Sequence, residues 1–255
     1  MAAMSTLPIG AKGTLSQLAK AIGANPTGSD DRTTDAATAS GAVVVGFSAT
    51  AKLAASAGAK KDVAIVAENA RATLDAGYRK LGKTGDVYTT AEEWKTAFGG
   101  LGRRSLYSVA SNASGQFTKE EQGAAKYLMA QQQGAALGLD FGAIQFQIHP
   151  AAGYKAGIEF LDSVSDEEKA SFEWAVQRAA SQYAYEVLTR RDGKEPEILD
   201  STNPIVKMIK GALEALATND DPSNLLEDMP QYKQAERMHA ARESAGASGL
   251  VDVSG

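Results

Sequence analysis

The chain has 255 residues and no cysteine, which excludes disulfide frameworks, thiol nucleophiles and thiolate metal sites together. Hydrophobic residues reach 44% but aromatics only 7%; alanine supplies much of the difference, and it favours helix while burying little area per residue, so the expectation is close helix packing around a thin core. The 26 basic against 31 acidic residues leave a net charge of -5, and basic side chains come as isolated doublets such as Lys60-Lys61, Arg103-Arg104 and Arg190-Arg191, which offers no electrostatic footprint for nucleic acid.

The first forty residues differ in composition from the rest of the chain. A short helix over 14–22 leads into residues 25–35, polar and full of turn formers, and the expectation is a flexible leader over 1–40, a single helical domain over 41–243 and a flexible tail over 244–255. Residues 1–13 lack the charged region and apolar core of a signal peptide, and the best apolar run, 42–47, is far too short to span a bilayer. The expected setting is therefore the cytoplasm, or export by a leaderless route.

Helical periodicity begins with Val63, Val66, Ala70, Leu74, Tyr78 and Leu81, spaced by three and four residues as a core-facing stripe requires. Overlapping its end, residues 77–84 satisfy the phosphate-binding loop pattern letter for letter, with Gly77, Gly82, Lys83 and Thr84 in place. That chemistry needs a strand before the loop and a helix after it, so that backbone N–H groups surround the phosphates. Here a helix precedes, and Gly82 with Gly85 reads as a helix stop and a turn.

Three helix starts carry one device, a hydroxyl residue followed three places later by glutamate: Thr90 with Glu93, Thr118 with Glu121, and Ser165 with Glu168. The hydroxyl caps an orphan backbone N–H while the glutamate reaches back to the cap residue, so helices are predicted to begin near 91, 119 and 166. Capping accounts for these glutamates without a catalytic role.

Residues 110–121 also carry a second pattern. Asn112 and Ser114 fall at the third and fifth positions, Gly115 at a sharp turn, Gln116 at a backbone-carbonyl position, Phe117 at an apolar one, then Thr118, and Glu121 at the twelfth. This run resembles the calcium loop of EF-hand proteins, with 103–109 as incoming and 120–136 as outgoing helix. The resemblance covers 103–136 only, and implies Asn112, Ser114, Gln116, Thr118 and Glu121 as calcium ligands. It departs from the family at the first position, where Ala110 replaces aspartate. Glu121 is then the sole formal negative charge among the ligand positions, so the expectation is weak calcium affinity or no cofactor at all.

Farther on, Ile144, Phe146 and Ile148 alternate with Gln145 and Gln147, the two-residue period of a strand. A lone strand leaves its backbone unsatisfied, so 143–149 is paired with the valine-rich 42–47 as a short two-stranded ribbon. Two more helical stripes come after it, Phe172, Val176, Ala179, Tyr183 and Val187, then Ile205, Met208, Ile209, Ala212, Leu213 and Leu216. Trp94 and Trp174, early in their helices, are assigned to packing. Glu236 and His239 have the spacing of one di-iron half-site, but the sole other histidine, His149, stands beside Pro150, and no second pair exists.

The fold class read from these signals is mainly α, a compact multi-helix bundle with the one short ribbon. No nucleophile, base and orienting group stand at a recognisable spacing. The functional expectation is a non-enzymatic interaction or structural protein, a helical body with a mobile leader, whose partner is another protein. The alternatives are a calcium-responsive EF-hand-like module and a carboxylate-dependent enzyme whose site the sequence does not display.

Overall fold

Every regular element among the residues described by the computed structural model is helical: 49–82, 90–138, 150–219, 221 and 223–248 contain nine α-helices, one 3-10 turn and no strand. Both halves of the expected ribbon, 42–47 and 143–149, lie outside the described residues, as does the leader over 1–40. The helices are α1 (Ala49–Lys80), α2 (Ala91–Phe98), α3 (Arg103–Ser111), α4 (Lys119–Ala136), α5 (Pro150–Ser163), α6 (Asp166–Lys169), α7 (Phe172–Arg191), α8 (Pro204–Ala217) and α9 (Pro230–Ser248), with the 3-10 turn at Leu226–Asp228.

Caps set the starts. α2 begins at a complete capping box, in which Thr90 Oγ1 accepts from the Glu93 amide at 3.3 Å and Glu93 Oε2 accepts from the Thr90 amide at 3.3 Å. α4 and α6 start at 119 and 166, the positions the other two boxes predict. One start was not foreseen: the helix that opens at Asp166 ends after Lys169, and Ser171 recaps the chain by accepting from the Trp174 amide at 3.1 Å, so the long helix α7 begins at Phe172.

The contacts divide the chain into two compact units whose boundary falls inside α4, between Tyr127 and Leu128. In the earlier unit α1 packs on α2 and α3. Ala70, Leu74 and Tyr78 of the predicted stripe are buried, with Val63, Val66 and Leu81 half-buried at its edges. Ala97, Phe98, Leu106, Val109, Phe117 and Ala125 complete that interior. Small residues bring the helices close: a Cβ on Gly77 would lie 2.6 Å from the carbonyl oxygen of Ala97 and 2.7 Å from its Cα, so α1 and α2 meet where no side chain fits.

In the later unit α7 is the central element, packed by α5 and by α8, with α9 covering α8. Leu161, Trp174, Ala179, Tyr183, Ile205, Ile209, Leu213, Leu216, Leu226 and Tyr232 belong to one apolar cluster, and both later stripes contribute to it. Trp174 is buried with its indole N–H donating to the Leu161 carbonyl at 2.8 Å, which satisfies its one polar atom. α8 opens on Asn203, whose Oδ1 accepts from the Ile205 amide at 2.9 Å, followed by Pro204 in the first turn, where its missing N–H costs nothing.

Candidate functional site

Two polar assemblies stand out from these interiors, one in each unit. The first is the hand-like run 110–121. α3 continues through Ala110, which is buried, and ends on Asn112 in the left-handed region at φ 49°, so the first ligand position of the pattern is a packed helical residue. The Asn112 side chain turns back on the loop: Oδ1 accepts from the Phe117 amide at 2.9 Å and Nδ2 donates to the Phe117 carbonyl at 3.0 Å, which also accepts from Gln122 Nε2 at 3.0 Å. Ser114 and Gln116 are exposed. Thr118 and Glu121 form the expected capping box, with Thr118 Oγ1 accepting from the Glu121 amide at 3.2 Å and Glu121 Oε2 from the Thr118 amide at 2.9 Å.

Glu121 does more than cap. It is 2% exposed, and it draws in two side chains of α1 that the sequence did not connect with it. Arg71 Nη1 donates to Oε1 at 2.8 Å and to Oε2 at 3.0 Å, and the Tyr78 hydroxyl donates to Oε1 at 2.6 Å. Arg71 is further held by Asp75, and its Cζ lies 5.6 Å and 5.7 Å from the ring centroids of Tyr78 and Phe117, within cation–π range. Burial works against the Arg71 charge, but the hydrogen bonds and charges of Glu121 and Asp75 outweigh it and hold the guanidinium above its ordinary pKa. Burial, reinforced by the bond to Glu121, pushes the Tyr78 hydroxyl well above the usual tyrosine range.

The second assembly runs along α7. Of its 20 residues 14 are buried, more than one apolar stripe explains, and the additional face is polar: Arg178, Gln182 and Glu186 succeed one another at four-residue steps. Arg178 Nε and Nη2 grip Asp162 of α5 at 2.7 Å and 3.1 Å, Nη2 donates to the Leu199 carbonyl at 2.8 Å, and Nη1 donates to Gln182 Oε1 at 3.1 Å. Gln182 Nε2 donates to Glu186 Oε1 at 2.9 Å and to Asp200 Oδ1 at 2.6 Å. Glu186 pairs with Lys210 of α8 at 3.0 Å. Lys210 is opposed by burial yet raised above its ordinary pKa by its bonds to Glu214 and Glu186.

These bonds fasten the non-helical segment after α7. The chain turns at Gly193 (φ +72°) and runs back along the helix it has just left. Lys155 of α5 pairs with Glu197 at 2.6 Å, the Glu197 amide donates to the Tyr185 hydroxyl at 3.1 Å, and Leu199 packs against Ala151, Ile158, Tyr185 and Leu188. Between these two anchored residues stands Ile198, 90% exposed.

The remaining sequence candidates resolve as structure. Gly77 lies within α1, which ends before Gly82 at φ +65°, so a helix occupies the place where a phosphate loop requires a strand; Lys83 and Thr84 lie outside the described residues. His239 donates from Nε2 to the Ala170 carbonyl at 2.9 Å and meets the Phe172 ring edge-on at 5.5 Å, a bridge from α9 to the joint between α6 and α7. Among the described residues no group of three or more His, Asp or Glu side chains is placed to hold a metal ion, and no helix is long and apolar enough to cross a membrane. Comparison with protein-family models, with curated proteins and with solved structures gave no match.

Proposed function

We propose that this chain is a non-enzymatic interaction or structural protein, and that the segment 194–200 is its contact element toward a partner protein. The observation that carries the reading is Ile198. A single exposed apolar side chain is ordinary on a protein surface. What distinguishes this one is its backbone: Glu197 is tied to Tyr185 and Lys155 on one side, Leu199 and Asp200 to Arg178 and Gln182 on the other. A segment fixed in this way loses little conformational freedom on binding, the cost that weakens flexible ligands. The leader over 1–40 joins the proposal as a second contact element on its composition alone.

Charge narrows the partner. The segment carries Glu195, Glu197 and Asp200 against Lys194, with Glu197 paired to Lys155 and Glu195 exposed. The complementary surface is an apolar pocket sized for a branched aliphatic side chain and rimmed by Lys or Arg. Burying the isoleucine contributes about 1.5–3 kcal/mol, or roughly 10- to 150-fold in affinity. The test compares proteins retained from source cells by the wild-type chain and by Ile198→Ser. Because the side chain is already in water, the melting temperature stays unchanged while at least one retained protein is lost, and Glu195→Lys weakens the same one. An identical set of retained proteins for all three chains would remove the segment as a contact element.

A further inference from the structure

A carboxylate withdrawn from water needs a positive charge and hydrogen-bond donors to remain ionised. In a calcium loop the twelfth residue delivers both its oxygens to the ion, which supplies that charge. At Glu121 the charge arrives from fifty residues upstream. Arg71 Nη1 is nearly equidistant from the two oxygens, 2.8 Å from Oε1 and 3.0 Å from Oε2, the position of a cation held by both. The second acceptor site of Oε1 is filled by Tyr78 at 2.6 Å, and that of Oε2 by the Thr118 amide at 2.9 Å. Two bonds at each oxygen exhaust the roughly four acceptor sites of an ionised carboxylate.

We infer that residues 110–121 form a hand whose cation is built in: the guanidinium of Arg71 stands at Glu121 in the place of a divalent ion. The rest of the loop is consistent with this. Ala110, at the first ligand position, is buried in α3; the Asn112 amide is engaged at both ends by Phe117; the Thr118 hydroxyl accepts from the Glu121 amide. The cation itself is seated as a permanent part of the structure, with Asp75 on its outer edge and the Tyr78 and Phe117 rings close to Cζ. The geometry of the turn between α3 and α4 is therefore independent of calcium, and α1 is tied to that turn by a charge that cannot dissociate into solvent.

Thermal unfolding of the full chain in chelator and in millimolar calcium chloride is the first arm of the test. The two melting temperatures coincide if the cation site is filled from within; a saturable rise with calcium, abolished by Glu121→Gln, overturns the inference. The second arm is a double-mutant cycle of Arg71→Met and Glu121→Gln, read as urea midpoints. Each single replacement lowers the midpoint, and the double variant loses less than the sum of the two, because the bonds between the pair are already gone when the second group is removed. Strictly additive losses would show that the two side chains do not act as a pair, and would overturn the assignment. Should Arg71→Met fail to fold, the calcium arm on the wild-type chain still decides.

Discussion

Replacing Arg178 by methionine tests whether the polar face of α7 holds the segment 194–200 in place. Methionine keeps most of the aliphatic volume and removes the charge, so the change isolates four hydrogen bonds: two to Asp162, one to the Leu199 carbonyl and one to Gln182. Breaking a buried ion pair costs about 3–5 kcal/mol when the surviving charge stays buried. Arg178 is 2% exposed but Asp162 is 49% exposed, so the aspartate regains water and the loss falls at the lower end, about 3 kcal/mol. The complementary Asp162→Asn keeps the bonds to Leu199 and Gln182 but leaves the buried guanidinium without its counter-charge, so it costs at least as much, about 3–5 kcal/mol. Urea unfolding gives the magnitudes, and hydrogen exchange gives the location: the amide of Glu197, which donates to Tyr185, exchanges faster in Arg178→Met as the segment loosens. A loss below about 1 kcal/mol with unchanged exchange over 194–200 would refute the reasoning, since a buried guanidinium that anchors the segment cannot be removed without either effect.

Gly77→Ala places a methyl group 2.6 Å from the Ala97 carbonyl oxygen, and forcing α1 and α2 apart is expected to cost about 1–3 kcal/mol despite the better helix propensity of alanine; a higher melting temperature would contradict the close approach. Alkaline stability offers a second check. Tyr232 is pushed up to about 12 from 10.0 by burial, then by the charges of Glu236 and Glu227. Its folded pKa lies above its unfolded one, so its contribution is complete below pH 10 and is lost as pH rises from there toward 12. Urea midpoints measured across that window should decline, and Tyr232→Phe should flatten the decline; an equal slope in both would exclude Tyr232 as a source.

Local signals in this sequence were legible because each acts within a few residues. Thr90, Thr118 and Ser165 mark helix starts at 91, 119 and 166 through bonds that span three positions, and the stripes of α1, α7 and α8 face their interiors as the periodicity requires. Ser171 was overlooked for the same reason that it works: a second cap close behind the first interrupts what reads as one continuous run. The partnership of Arg71 with Glu121 spans fifty residues, and no spacing rule reaches that far. Nothing local singles out Arg178, Gln182 and Glu186, because polar residues at helical spacing face water in most amphipathic helices; they are buried here since α5, α8 and the returning segment cover that side. The unit boundary falls between Tyr127 and Leu128 in the interior of a helix, where no shift toward Gly, Pro or Ser marks it.

Small side chains give both units a use for an arginine tie, half-buried at Arg71 and buried at Arg178. Ala67, Ala70 and Ala97 in one unit, and Ala175, Ala179, Ala180, Ala184 and Ala212 in the other, allow close helix approach but bury little area each. Smooth, alanine-lined faces also discriminate poorly between neighbouring registers, because sliding one past another exchanges one set of similar contacts for the next. A guanidinium gripping a carboxylate tolerates far less displacement: its planar, forked donors match their acceptors in one arrangement, and a shift by one helical turn, about 5.4 Å, breaks every bond. Arg71 on Glu121 and Arg178 on Asp162 each connect elements separated in sequence. Such ties contribute modestly to net stability because desolvation offsets their attraction. What they add is position: in the later unit Arg178 holds the Leu199 carbonyl, and with it the place where Ile198 stands.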